Sequence, residues 1–463
     1  MNYWGPSVDA VKAYQGKDGN YSNKQDNLIK LFPFTTHKQC PDVHPGCFIK
    51  AASGCDIKET QTPDSLYEGI VDLISGDLYG DSEDTTLEVL REITAVSGSA
   101  NSNNLRIALS AESSSNASKT ALYLSSMVAD SDELRRILRE ALGRTNSDAN
   151  VVERLICEVV PIIESKKEGA KKYFRVSEAL SETFLGDLSF VLSDPRLIEM
   201  YLSQLLDFYF FMTIAQNSLV VNKRMRGSRG KLEKLYFALD WEKTNQSRAC
   251  YKQGFKSLES ALEEMFVHAG VLEILNTVDP TADIDQIDYI SLQEIVKTHR
   301  ENEGVIASNI RVVNEQIRTY VHKEDLFSET PLRTEAAVSA EEEVDALYAT
   351  VKAILFNTTR NKPRGDYSNS FRLFAQSGMR FEKHRGRSGT LLNITDSTLL
   401  LLTALAIGDR ESISLTDLFR QFEQRGVFLD EPSREQVALY FEKRSMLDKK
   451  SDSGETQYVK RVL

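Results

Sequence analysis

"DPRLIEMYLSQLLDFYFFMTIAQ" (Asp194–Gln216) is apolar on most of its sides. A helix with this pattern has no face to offer water, so it is buried centrally or used in assembly. Its longest unbroken apolar run, Phe208–Met212, falls far short of the ~20 residues of a membrane helix. The same holds for Leu399–Ile407. The stretch therefore predicts a helix that is central or used in assembly, and not one that spans a membrane.

Working outward, "DSDELRRILREALG" (Asp130–Gly143) puts Leu134, Ile137, Leu138, Ala141 and Leu142 at helical spacing. Gly143 suits the end of that helix. "DTTLEVLREITAV" (Asp84–Val96) starts on a good cap residue and aligns Leu87, Leu90, Ile93 and Val96. "YKQGFKSLESALEEMFVHAGVLEIL" (Tyr251–Leu275) reads as another helix with a turn near Gly270. Asp285–Val321 gives one or two more. Convincing strands are few. Residues 1–60 show no lasting period, 61–326 read as a helical body, and 327–390 as a connection, acidic first and basic later. A helix through Phe356 interrupts that connection.

Residues 391–463 carry the clearest plan. "TDSTLLLLTALAIG" is a buried helix capped by Thr395 or Asp396, and "ISL" is a short strand. "LTDLFRQFEQRGV" is a second helix with Leu418, Phe419 and Phe422 inward. "PSREQVALYFEKRSML" is a third, with Ser433 as its cap. The tail alternates around Asp452-Ser453-Gly454, which is hairpin turn chemistry. Helix, strand, helix, helix and hairpin are the elements of a winged helix, in order. The expected fold is mainly α: a multi-helix body, a C-terminal winged-helix domain and an irregular N-terminal segment.

The chain has 463 residues and a net charge of −12, which argues against nucleic acid coating all of it. The charge is uneven. From Arg360 to Leu463 there are 18 Lys+Arg against 14 Asp+Glu, leaving −16 on the remainder. Arg360–Arg387 holds eight basic and two acidic residues, so an anionic partner would dock here. Each phosphate neutralised by Lys or Arg releases a counterion. The candidate DNA contacts are Arg380, Lys383, Arg385 and Arg387, with Lys449, Lys450 and Lys460 of the hairpin. Tyr367, Phe371, Phe374 and Phe381 interleave with the first group and either stack on bases or pack inward. The third helix suits DNA less well, because Glu435 and Glu442 would repel phosphate. A winged helix that docks protein is the competing expectation. "NKRMRGSRGK" (Asn222–Lys231) is a lesser basic run.

"RIALSAESSSNASKTALYL" looks like a phosphate loop, but serine (Ser113 and Ser118) stands at both glycine positions such a loop needs. No G-x-S-x-G, H-E-x-x-H or C-x-x-C occurs, and His268 reads as a structural histidine. "DPTADIDQIDY" (Asp279–Tyr289) lacks the glycine and final Glu of a calcium loop. His37, Cys40, His44 and Cys47 form an H-x2-C-x3-H-x2-C cluster in a Pro- and Gly-containing turn region. Four protein ligands would make a closed, structural zinc site; the competing reading is a polar loop. Five cysteines, an odd number, and an N-terminus without a basic start and apolar block fit a reducing cytoplasm.

Two stretches, "LYFALDWEKTNQSRACYKQGFKSL" (Leu235–Leu258) and the ending "RGVFLDEPSREQVALYFEKRSMLDKKSDSGETQYVKRVL" (Arg425–Leu463), resemble the DNA phosphorothioation-dependent restriction protein DptG (DndG) family. The resemblance covers about sixty residues directly and carries no catalytic motif. It implies a bacterial cytoplasmic defence system acting on DNA that lacks the phosphorothioate mark. It also implies that ATPase and DNA-processing motifs belong to the DptF-like and DptH-like partners. The expected role is therefore a non-catalytic, DNA-contacting and assembly subunit that needs no cofactor. The alternative is a scaffold that docks a partner ATPase without touching DNA. A divergent enzyme is a third, weaker expectation.

Overall fold

The computed structural model describes residues 3, 5–12, 31–35, 37–58, 63–74, 105–110, 113–114, 116–128, 130–143, 151–164, 173–277, 286–321, 324–328, 339–357, 361–449 and 457–461. These residues are mainly helical, as expected. The opening stretch becomes a 28-residue helix, Pro195–Asn222. Asp194 caps it by accepting from the Arg196 amide, and Pro195 fills the first turn, where no amide donor is needed. Among the described residues it is the one helix long and apolar enough to cross a membrane. From Phe208 to Met212 every side chain is buried within the fold, which is the environment of a core helix.

Aromatic rings pack this helix. Phe211 stacks on Phe381 at 4.4 Å and on Phe371 at 5.3 Å, and Phe210 meets Phe374 edge-on at 4.9 Å. Tyr209 packs on Phe184 and donates to the Asp187 carboxylate at 2.5 Å. That carboxylate also takes two bonds from Arg425, at 2.8 and 2.5 Å. Burial pushes the Asp187 carboxyl up, while Arg425 and Tyr209 pull it back. A residue near the C-terminus is thus locked beneath the central helix.

Several local expectations are refined. Ser131–Gly143 buries Leu134, Ile137, Leu138 and Leu142. Tyr251–Leu275 does not turn at Gly270. It is a π-turn (Tyr251–Phe255) and two helices, Lys256–Glu263 and Met265–Leu275, the second running straight through Gly270. A Cβ at Gly270 would lie 3.4 Å from Val351, at van der Waals contact with the helix Ala340–Asn357. Asp285–Val321 forms two helices, Tyr289–Thr298 and Glu303–Thr319. Within 1–60, a helix forms at Pro45–Ser53 between His44 and a left-handed Gly54. The Asp84–Val96 helix and the turn at Asp452–Gly454 lie outside the described residues.

There are three small sheets among the described residues. β1 (Cys55–Ile57) and β2 (Ile162–Glu164) pair antiparallel. β3 (Leu235–Leu239), β4 (Glu382–His384), β5 (Thr390–Ile394) and β7 (Val427–Leu429) form a sheet in the order β4-β5-β3-β7. β3 runs parallel to both neighbours, with Phe237 opposite Leu392 and Leu429. A strand flanked on both sides reads as a continuous apolar run, and "LYFAL" does. β6 (Ser412–Ser414), β8 (Leu447–Lys449) and β9 (Gln457–Lys460) form the third sheet, antiparallel, in the order β6-β9-β8.

At the C-terminus the order is helix Asp396–Ile407, β6, helix Leu415–Gln424, β7, helix Glu431–Lys443 and the β8/β9 pair. Thr395 caps the first helix. The third begins earlier than expected: Asp430, not Ser433, is its cap, accepting from the Ser433 amide. Because β7 pairs with β3, this region shares its sheet with a strand from the middle of the chain.

Candidate nucleic-acid interface

Three parallel strands, β3, β5 and β7, end at one edge, and the residues that follow them meet there. After β3 comes Asp240-Trp241-Glu242-Lys243; after β5, Thr395-Asp396; after β7, Asp430. Ligands of parallel sheets bind outside such carboxyl ends. The basic β4–β5 hairpin borders the same edge.

Four expected DNA contacts lie in or beside that hairpin, and they divide by use. Lys383 forms an ion pair with Asp240 and donates to its carbonyl at 3.1 Å. Burial works against the Asp240 charge, yet Lys383, Asn393 and the charge of Arg380 hold its carboxyl below the usual range. Arg385 donates to the carbonyls of Leu239 (3.0 Å), Asp240 (3.0 Å) and Glu242 (3.1 Å). These groups lie where the β3 ladder gives out; the Leu239 carbonyl also accepts from the Glu242 amide at 3.2 Å, and Arg385 supplies donors to all three. Arg380 and Arg387 are exposed. Arg380 adopts a left-handed φ of 51° in the turn before β4, and its own carbonyl accepts from Asn393.

The hairpin residues lie on the other sheet. Lys449 ends β8 opposite Gln457. Lys460 is exposed on β9 and pairs with Asp448 at 2.9 Å. Lys450 lies outside the described residues.

The aromatics expected either to stack on bases or to pack inward do the latter. Tyr367, Phe371, Phe374 and Phe381 are each at most 7% exposed. The exposed ring is Trp241, at 38%. It stacks on Tyr440 of the third helix at 4.9 Å and 22°, and the Arg444 guanidinium lies 4.6 Å from the Tyr440 centroid. Sequence reading gave Trp241 no role. The one signal was a large aromatic followed by Glu-Lys-Thr-Asn directly after an apolar strand.

Glu242 turns inward and fixes the loop. Arg248 bridges it at 2.6 Å and reaches Asp430 through Nε at 3.0 Å. Ser433 donates to Glu242 at 3.1 Å and accepts from Arg248 at 2.7 Å. Burial raises the Glu242 carboxyl even so. This network ties the loop after β3 to the start of the third helix.

The lesser basic run is engaged internally: Arg224 pairs with Asp345, Arg226 with Glu341 and Asp345, and Arg229 with Asp288. His268 is buried, contacts the Tyr289 hydroxyl at 3.1 Å, and has its pKa lowered to about 3 by burial, with Arg224 and Lys352 adding to this. It is a neutral structural residue.

The His/Cys cluster is spread out. His37 and Cys40 are exposed, and the Cys40 thiol faces Ser377 at 3.9 Å. His44 is buried and accepts the Cys47 amide through Nδ1 at 3.3 Å, while the Cys47 thiol donates to Ser113 at 3.2 Å. Among the described residues no group of three or more His, Cys, Asp or Glu side chains is arranged to hold a metal ion. No protein-family model and no curated protein sequence matches this chain.

Proposed function

We propose that this chain is a non-catalytic, DNA-contacting and assembly subunit of a bacterial phosphorothioation-dependent restriction complex, working beside DptF-like and DptH-like partners on DNA that lacks the mark. The supporting observation is the pair Arg380 and Arg387, both exposed, one in the turn before β4 and the other in the turn after it. Lys460, exposed and paired with Asp448, lies on the wing of the C-terminal helix–strand–helix–strand–helix–hairpin unit, which we read as a winged helix. Lys383 and Arg385 hold the hairpin in place. Duplex binding measured over a salt series tests this. The Arg380→Ala/Arg387→Ala chain should flatten the slope by about 2, one unit per lost phosphate contact. An unchanged slope removes the patch from the interface.

A second reading has its own support. The exposed face of the third helix carries Glu431, Glu435, Leu439 and Glu442 with one lysine, Lys443, at its end, and Arg434 is occupied by Glu423 at 2.6 Å. In a DNA-reading winged helix this element would enter the groove, where the glutamates would meet phosphate. The same face suits a protein partner, so the chain would act as a scaffold docking the partner ATPase. Co-purification of the full-length Glu435→Lys/Leu439→Glu chain with that ATPase separates the readings. Loss of the ATPase with DNA binding kept places the helix in assembly.

A further inference from the structure

We propose that Trp241 is a base-stacking platform, so that this face also takes nucleic acid that is single-stranded or presents an unstacked base. This rests on the DNA-contacting reading and adds a substrate class to it. Trp241 leaves more than a third of its surface to water although an apolar strand ends two residues before it. The ring is nonetheless packed on one face. Tyr440 supports it from the third helix, and Asp396 accepts from the Tyr440 hydroxyl at 3.4 Å. Arg385 grips the backbone on both sides of Trp241, through the carbonyls of Asp240 and Glu242. An exposed ring packed in this way loses little entropy when a flat partner lies on it.

The surrounding charges favour phosphate. Lys243 is exposed two residues on. Gln246 donates to the Arg387 carbonyl at 3.3 Å, which joins the Trp241 loop to the basic turn. The nearby acids are engaged: Asp240 by Lys383, Glu242 and Asp430 by Arg248, Asp396 by Arg444. An exposed aromatic face with an exposed lysine two residues on can take a stacked base and its phosphate without sequence preference. An intact duplex hides its base faces and offers only backbone and groove edges, so it cannot use the ring.

The chain has two tryptophans, Trp4 and Trp241. The Trp4→Phe chain therefore reports Trp241 fluorescence alone. It is titrated with an oligothymidylate and with a duplex of equal length. The expected result is quenching by the single strand, and, by anisotropy of a labelled oligothymidylate, single-strand affinity about tenfold lower in Trp241→Ala and largely kept in Trp241→Phe. Duplex affinity and its salt slope should be the same in all three chains. If duplex binds through Arg380 and Arg387 while Trp241→Ala leaves single-strand affinity unchanged, this proposal alone is overturned. If the unsubstituted chain binds neither nucleic acid, both the platform and the DNA-contacting reading fail.

Discussion

Replacing Arg425 with Met should be among the most damaging single changes in the protein. Arg425 is 4% exposed and gives two hydrogen bonds to Asp187, which is itself 4% exposed and takes a third from Tyr209. Arg425→Met leaves a buried carboxylate without its counter-charge, at a cost of about 3–5 kcal/mol. Asp187→Leu/Arg425→Met removes both charges and leaves the Tyr209 hydroxyl unpaired, which costs about 1–3 kcal/mol. The double variant should therefore be more stable than Arg425→Met alone. The deficit of Arg425→Met should also shrink on acidification. Without the guanidinium, burial lifts the Asp187 carboxyl further, so the folded state gains a proton more readily than the unfolded one as pH falls. Urea unfolding followed by circular dichroism at pH 7 and pH 5 measures both effects. A single variant losing under about 1 kcal/mol, or a double variant whose cost equals the sum of the two singles, would refute the view that these groups act as one buried unit.

Two further outcomes test the packing. Burial, with Asp42 nearby, pushes Asp207 up to about 7; its folded pKa lies above its unfolded one, so the stability it contributes is full below about pH 4 and is lost as pH rises through 7. Asp207→Asn should flatten that part of the stability–pH curve and raise stability at pH 8, read from urea midpoints across pH. At Gly46 a Cβ would sit 1.8 Å from the Ala108 carbonyl oxygen, so Gly46→Ala should destabilise by at least about 2 kcal/mol and expose the helix Pro45–Ser53 to proteolysis.

Much of the helical architecture is legible in the sequence because helices declare themselves locally. The all-round apolar pattern from Asp194 predicts a helix that is central or used in assembly, and the inward positions Leu418, Phe419 and Phe422 are buried as read. Caps are local too, although Asp430 displaces Ser433, since both stand within hydrogen-bonding reach of a helix start. What was not legible is what pairs with what over long separations. β3 lies between β5 and β7, more than 150 residues away in sequence, and strands of three to five residues leave too little period to announce such partners.

The candidate site shows the same division. Composition located its basic stretch between Arg360 and Arg387, because charge can be counted along a chain. Only the tertiary structure decided which charges remain available. Lys383 is committed to Asp240 and Arg385 to the carbonyls ending β3, while Arg380 and Arg387 stay in solvent. Folding also turned Phe371, Phe374 and Phe381 inward against the central helix and left Trp241 outside on Tyr440. A side chain's chemistry is set by its own atoms, so sequence determines it. Whether that chemistry is offered to a ligand or consumed internally depends on neighbours brought from elsewhere in the chain.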